Sequence, residues 1–269
     1  MPNTTLDNLA NTGAALTRLR AAKPLVHCIT NYVAMSTAAN VVLAAGASPA
    51  MVHAEEEVAD FAPIAGALTI NIGTTSAHWH RAMCGAADAA CAAGTPWVLD
   101  PVAHFITPFR REAAAELVQR KPTILRGNAS EVIALAGAET GGKGADAGDD
   151  VVAAEAPARA LAAQSGAIVA VTGEMDFVTD GERVARIAGG HRLMPQVTAL
   201  GCSLTALVGA YAAIESDPFD ATVAACAHFA EAGAKAGALA AGPGSFAVAF
   251  LDALAATEPD ALAARVSGA

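Results

Sequence analysis

Ile168-Val169-Ala170-Val171-Thr172-Gly173-Glu174 is an apolar run that stops at a hydroxyl, a bare amide and an acid. An apolar run without polar alternation reads as a strand covered on both faces. Strands of that kind belong to parallel sheets held between helix layers. A helical pattern at 151–163 precedes this one, so the chain passes from helix to strand. The polar groups that follow stand at the strand's carboxyl end, where open α/β sheets bind ligands.

The same alternation extends in both directions. Further strands are predicted at 25–29, 50–52, 67–72, 97–99, 123–125, 176–179 and 184–187. Helices are predicted at 33–45, 55–65, 77–93, 109–119, 130–136, 203–213, 218–242 and 244–256. The last two strands, joined by Asp180-Gly181-Glu182-Arg183, read as a hairpin that extends one side of the sheet. The stretch 137–150 reads as a glycine-rich surface loop. Its Gly141-Gly142-Lys143-Gly144 is not a phosphate loop, because Ala145 and Asp146 follow where Ser or Thr is needed. No linker divides the chain, so residues 1–269 are expected to form a single three-layer α/β/α domain with a mostly parallel central sheet.

Composition narrows the partners. Hydrophobic residues make up 54% and charged residues 16%, enough for a large core. A net charge of −10 argues against nucleic acid, whose phosphates need basic clusters. No run approaches the roughly 18–20 apolar residues that cross a bilayer, and the polar start is unlike a secretory leader. The five cysteines include no CxxC pair, and the histidines show no metal-ligand spacing, His53 alone being worth watching. A reducing cytoplasm is the expected setting.

Chemistry-bearing residues gather just after the predicted strands: Thr30 and Asn31; Met51, His53 and Glu55-Glu56-Glu57; Asn71, Gly73, Thr74 and Thr75; Asp100; Arg126, Gly127, Asn128 and Glu131; Thr172, Gly173 and Glu174. Each has an ordinary structural account. Asp100 can be a turn residue before Pro101, and Asn128 with Glu131 forms a capping box. Glu55-Glu56-Glu57 can be the acidic first turn of a helix. Arg126 has a weaker structural account, because a strand-end arginine suits bidentate phosphate binding. Thr172-Gly173 offers a hydroxyl and an amide for phosphate oxygens. Near the C-terminal third, Ala199-Leu200-Gly201-Cys202-Ser203 leads into an apolar helix. Its unpaired amides and dipole suit a developing anion, and the same field is expected to favour the Cys202 thiolate. The ordinary alternative is a buried cysteine at a loop–helix junction.

Taken together, the stretches at 24–33, 46–57, 68–74, 98–102, 124–131, 171–174, 201–204 and 242–246 resemble the hydroxyethylthiazole kinases of thiamine biosynthesis. They occur in family order and span nearly the whole chain. The resemblance implies a ribokinase-like fold and transfer of the γ-phosphoryl group of ATP to the hydroxyl of 4-methyl-5-(2-hydroxyethyl)thiazole, with Mg2+. It also implies a homotrimer with active sites at subunit interfaces. By motif, Met51 contacts the thiazole, with Asn31, Val33 and Ala199 beside it. Arg126, Thr172, Gly173 and Gly201 hold ATP, and Asp100 and Glu131 are the magnesium-side acids. Cys202 falls where related sugar kinases carry a catalytic aspartate, and is expected to orient the acceptor hydroxyl. Two places depart from the family pattern. Ala199 and Leu200 replace a glycine and a small residue, and Ala103-His104-Phe105-Ile106 follows Asp100-Pro101-Val102 in place of a glycine-rich turn.

Other readings are a kinase of another small alcohol, such as the pyrimidine precursor or a pyridoxal-like vitamer, and an ATP-using lyase acting on hydrated nicotinamide nucleotides. A cysteine hydrolase built on Cys202 would leave Arg126 and Thr172-Gly173 without a role. A Rossmann dehydrogenase lacks its GxGxxG after the first strand.

Overall fold

The computed structural model describes residues 4–137 and 150–268, so most of the predicted 137–150 loop lies outside the described residues. Its strands are β1 (Leu25–Ile29), β2 (Ser48–Ala50), β3 (Ala67–Asn71), β4 (Trp97–Asp100), β5 (Ile124–Asn128), β6 (Ile168–Thr172), β7 (Met175–Thr179), β8 (Val184–Ala188) and β9 (Val266–Gly268). They form one sheet in the order β2-β1-β3-β4-β5-β6-β7-β8-β9. Pairing is parallel from β2 to β6 and antiparallel from β6 to β9.

The helices are α1 (Thr4–Ala22), α2 (Met35–Ala45), α3 (Val58–Phe61), α4 (Ala77–Ala93), α5 (Pro108–Val118), α6 (Ala129–Leu135), α7 (Val151–Ser165), α8 (Leu200–Ala212), α9 (Pro218–Leu239), α10 (Pro243–Ala256) and α11 (Asp260–Ala263). Successive strand side chains point to opposite faces. Val98, Ile124 and Ala170 therefore pack with the α1, α2 and α8–α11 layer. Their neighbours Leu99, Leu125, Val169 and Val171 pack with the α3–α7 layer. Two cores thus sandwich the sheet, which is the three-layer arrangement of ribokinase-like proteins.

Helix α8 lies directly on the sheet because Gly209 has no side chain. A Cβ there would stand 2.3 Å from Thr69 Cγ2 and 3.3 Å from Val26 Cγ1. Helix α5 starts on Thr107, whose side chain accepts the Arg110 N–H, with Pro108 preset at the first position. The Asn128–Glu131 capping box is present at α6.

Several boundaries differ from expectation. Strand β5 continues through Asn128, so Arg126 is a strand residue rather than a loop residue. Helix α8 begins at Leu200, which puts Gly201 and Cys202 in its first turn. The predicted helix 55–65 is broken. Glu55–Glu57 forms a turn, α3 has four residues, and a 3-10 turn with Pro63 follows, since proline cannot donate to a continuing helix. Helix α1 and strand β9 were not anticipated. The first begins in a polar stretch, and β9 has three residues paired to β8.

Candidate active site

The carboxyl ends of β1, β3, β4, β5 and β6 meet the start of α8, and the polar residues they carry form one connected network. Asp100, fully buried, closes β4. Its Oδ2 accepts from Asn71 Nδ2 at 2.7 Å, Thr205 Oγ1 at 2.7 Å and Arg126 Nη1 at 3.3 Å. Its Oδ1 is buried and has no hydrogen-bond partner. Burial raises the Asp100 carboxyl above its usual range, against the pull of Arg126, Thr205 and Asn71. From β5, Arg126 also donates through Nη2 to Thr172 Oγ1 on β6. Burial opposes the charge of Arg126, but Asp100 and then Glu131 hold its guanidinium above its usual value.

Glu131 is engaged differently. Its Oε1 accepts the Ala103 N–H at 2.9 Å and its Oε2 accepts the Asn128 N–H at 2.8 Å. It therefore ties the turn after β4 to the start of α6, while burial first, and Asp100 second, raise its carboxyl. Gly173 N–H donates to Asp176 at 2.9 Å, and burial pushes that carboxyl up to about 6.

On the β1 side, Asn31 Nδ2 donates to Asn71 Oδ1 at 2.8 Å and to Cys202 Sγ at 3.3 Å. Cys202 thus reaches the network, but the expected thiolate is not favoured. Burial and the Asp100 charge outweigh Arg126 and push its thiol up to about 11. The helix-start field is too weak to offset burial beside a carboxylate. Among the described residues the side chains that hydrogen-bond Cys202 are asparagines, Asn31 at 3.3 Å and Asn71, and not a histidine.

Gly201 approaches Arg126 closely; a Cβ there would lie 3.4 Å from Nη2. Ala199 caps α8 in the left-handed region, at φ 67°. Ala103, in the other segment that departs from the family pattern, is left-handed as well, at φ 50°. Both departures therefore place an alanine on backbone that suits glycine. Met51 is half-buried against the core, and Val33 is 58% exposed on the turn after β1. Neither joins the hydrogen-bonded network. His53 donates to the Met51 carbonyl and rests against Trp79.

Three contributors escaped the sequence reading. Thr205 stands one helical turn beyond Gly201, and a hydroxyl in so apolar a helix was its signal. Arg110 donates to the carbonyls of Ile72 at 3.1 Å and Val102 at 2.9 Å, and also to that of Gly73. It binds the turns after β3 and β4 together, and nothing in its helical context announced this. Asp176 stood at the start of a predicted hairpin strand and drew no functional reading.

A family model described as "Hydroxyethylthiazole kinase family" matches residues 16–260. The chain is 64% identical over 248 residues to a hydroxyethylthiazole kinase of Roseobacter denitrificans, covering 92% of this chain and 96% of that one. It is 65% identical over 254 residues to one from Rhizobium johnstonii, covering 94% and 95%. Among solved structures, a hydroxyethylthiazole kinase protein from Pyrococcus horikoshii superposes with a TM-score of 0.88 at 40% identity, over 96% of this chain and 98% of that one. A pyridoxal kinase from Staphylococcus aureus in complex with ADP, at 18% identity and a TM-score of 0.62 over 79% and 88% of the two chains, shares the fold. On these matches, the chain belongs to the hydroxyethylthiazole kinase family.

Proposed function

We propose that Asp100, Arg126, Thr172 and the first turn of α8 carry phosphoryl transfer from ATP to the hydroxyl of 4-methyl-5-(2-hydroxyethyl)thiazole, with Mg2+ on the Asp100 side. As a member of its family the chain is a kinase of this thiazole alcohol, and its product is the thiazole phosphate of thiamine biosynthesis. The observation that carries the residue assignment is the chain Asp100–Arg126–Thr172 laid across three strand ends, facing Gly201.

The donor set fits a hard cation in part. Asp100 keeps one buried oxygen without a partner, which suits an oxygen-seeking ion. Glu131 has both oxygens on backbone amides, so it fits as nearby negative charge more than as a ligand. When bound, Mg2+ supplies charge neutralisation for the phosphate oxygens. Arg126 turns its fork toward the transferring group, and Thr172 holds phosphate oxygens, joined by the Gly173 amide when it exchanges its bond to Asp176 for one to phosphate. The unpaired amides at Gly201 and Cys202 face the charge that spreads over the equatorial oxygens. Cys202, protonated at neutral pH, positions the acceptor hydroxyl with Asn31. A loose transition state makes little demand on a base, so positioning is the larger need.

Asn31, Val33, Met51 and Ala199 form the thiazole side. Tyr32 and Val33 are 62% and 58% exposed beside it, which supports a homotrimer whose neighbours complete the pocket. One sheet runs through the described residues, in keeping with a single catalytic unit. Free cysteines fit a cytoplasmic setting, and no described helix is long and apolar enough to cross a membrane.

The test is an ADP-release assay with ATP, Mg2+ and the thiazole alcohol, with mass spectrometry of the product. ADP with a product heavier by one phosphoryl group is expected. ATP turnover without that product would refute the substrate assignment and favour another alcohol or the lyase reading.

A further inference from the structure

Away from the strand ends, metal-ligand groups from two helices converge on the outer layer. His80 and Cys84 are four residues apart in α4 and so share a helix face. Glu116 reaches them from α5. One ligand atom from each lies within 4.8 Å of the other two. His80 Nε2 stands 2.7 Å from Glu116 Oε2 and 3.5 Å from Cys84 Sγ.

A thiol–imidazole–carboxylate relay needs the thiol on one ring nitrogen and the carboxylate on the other. Here Nε2 faces both partners. Atoms that crowd one point are instead the arrangement of ligands around an ion. Zinc–sulfur and zinc–nitrogen bonds of about 2.3 and 2.05 Å at a tetrahedral angle put S and N about 3.5 Å apart, which is the separation found. The N–O pair is tighter than the ~3.3 Å such a centre needs. Glu116 is 49% exposed and free to open by that margin.

Charge agrees with the geometry. Arg120 takes Glu116 Oε1 at 3.2 Å and Asp88 Oδ1 at 2.9 Å, which leaves Oε2 for the cluster. Once a metal has displaced the Cys84 proton, a thiolate and two carboxylates against one guanidinium carry two negative charges, matched by a dication. We propose that His80, Cys84 and Glu116 form a site for a borderline-soft divalent cation of the zinc class, with water as a fourth ligand, clamping α4 to α5. On binding, the Cys84 S–H proton passes to solvent as the sulfur–metal bond forms. The sequence concealed the site because its residues follow no CxxC or paired-His spacing, which is why the histidines show no metal-ligand pattern when read along the chain.

The test is a cobalt titration of the reduced, chelator-treated full-length protein, read by absorption. One equivalent is expected to give a sulfur-to-cobalt charge-transfer band and the strong visible bands of a four-coordinate ion, both displaced by zinc. Cys84→Ser should remove the charge-transfer band, whereas Cys91→Ser and Cys202→Ser should keep it. Glu116→Gln, at a half-exposed side chain, should weaken cobalt binding at least about tenfold, the lower end of what even outer partners of a metal cost. No charge-transfer band in the unmodified protein overturns the proposal, as does a band that survives Cys84→Ser. If Cys84→Ser does not fold by circular dichroism, unchanged affinity in a folded Glu116→Gln protein overturns it as well.

Discussion

Thr205→Val tests whether a hydroxyl inside an apolar helix tunes the acid at the site. The substitution keeps the volume and shape of a fully buried side chain and removes one donor, 2.7 Å from Asp100 Oδ2. A hydrogen bond to a charged group contributes about 1.5–3 kcal/mol. That is roughly a ten- to hundredfold loss of kcat/KM near neutral pH if Asp100 must be charged to act. The sign follows from the chemistry. The hydroxyl donates to the carboxylate, so its removal favours the protonated form, and the acid limb of the pH profile moves to higher pH. The control is Thr222→Val on α9, whose hydroxyl bonds the Pro218 carbonyl of its own helix at 2.7 Å. It should affect folding stability alone. The assay is kcat/KM for the thiazole alcohol against pH, with urea unfolding of all three proteins. A folded Thr205→Val enzyme with an unmoved acid limb would refute the reasoning.

Arg126→Gln should lower kcat about 10²–10³-fold with the fold retained by circular dichroism, because it removes a charge aimed at the transferring group. Cys202→Ala should keep measurable turnover in the coupled ADP assay; complete loss in a folded protein would make Cys202 the base. The Cys202 alkylation rate, followed by peptide mass spectrometry, should rise about tenfold per pH unit from neutrality and level off near 11, because only the thiolate attacks. Ala199→Gly should stabilise by about 0.5–1 kcal/mol in urea unfolding. Relief of a left-handed alanine, about 1–2 kcal/mol, exceeds the added freedom of glycine in the unfolded chain.

The parallel half of the fold was legible because its strands are nearly unbroken apolar runs, and Ile168–Thr172 alone implies cover on both faces. The strand ends put Asp100, Arg126 and Thr172 among the candidate residues at one edge of the sheet, though which of them touch is seen only in the structure. Periodicity could not reveal where β5 stops. Arg126 and Asn128 look like loop residues, yet their strand pairs with Ala170 and Thr172. Helix α1 stayed hidden because its opening residues are polar, and its later Leu16 and Leu19 gain meaning only from the core they enter. The Cys202 ionisation was misjudged for a related reason: a helix start is visible in sequence, whereas the burial and the carboxylate beside the sulfur come from β4.

The missing side chain at Gly209 makes α8 a lever. That contact lies seven residues, about 10 Å, along the helix from Cys202. A methyl group there must lift the helix from Thr69 and Val26, and its far end carries the amides opposite Arg126. An error of 1 Å in such a placement can cost about a hundredfold in rate. Selection on catalysis would thus be felt at a residue that touches no substrate, and a damaging change at that position would leave every reacting group chemically intact.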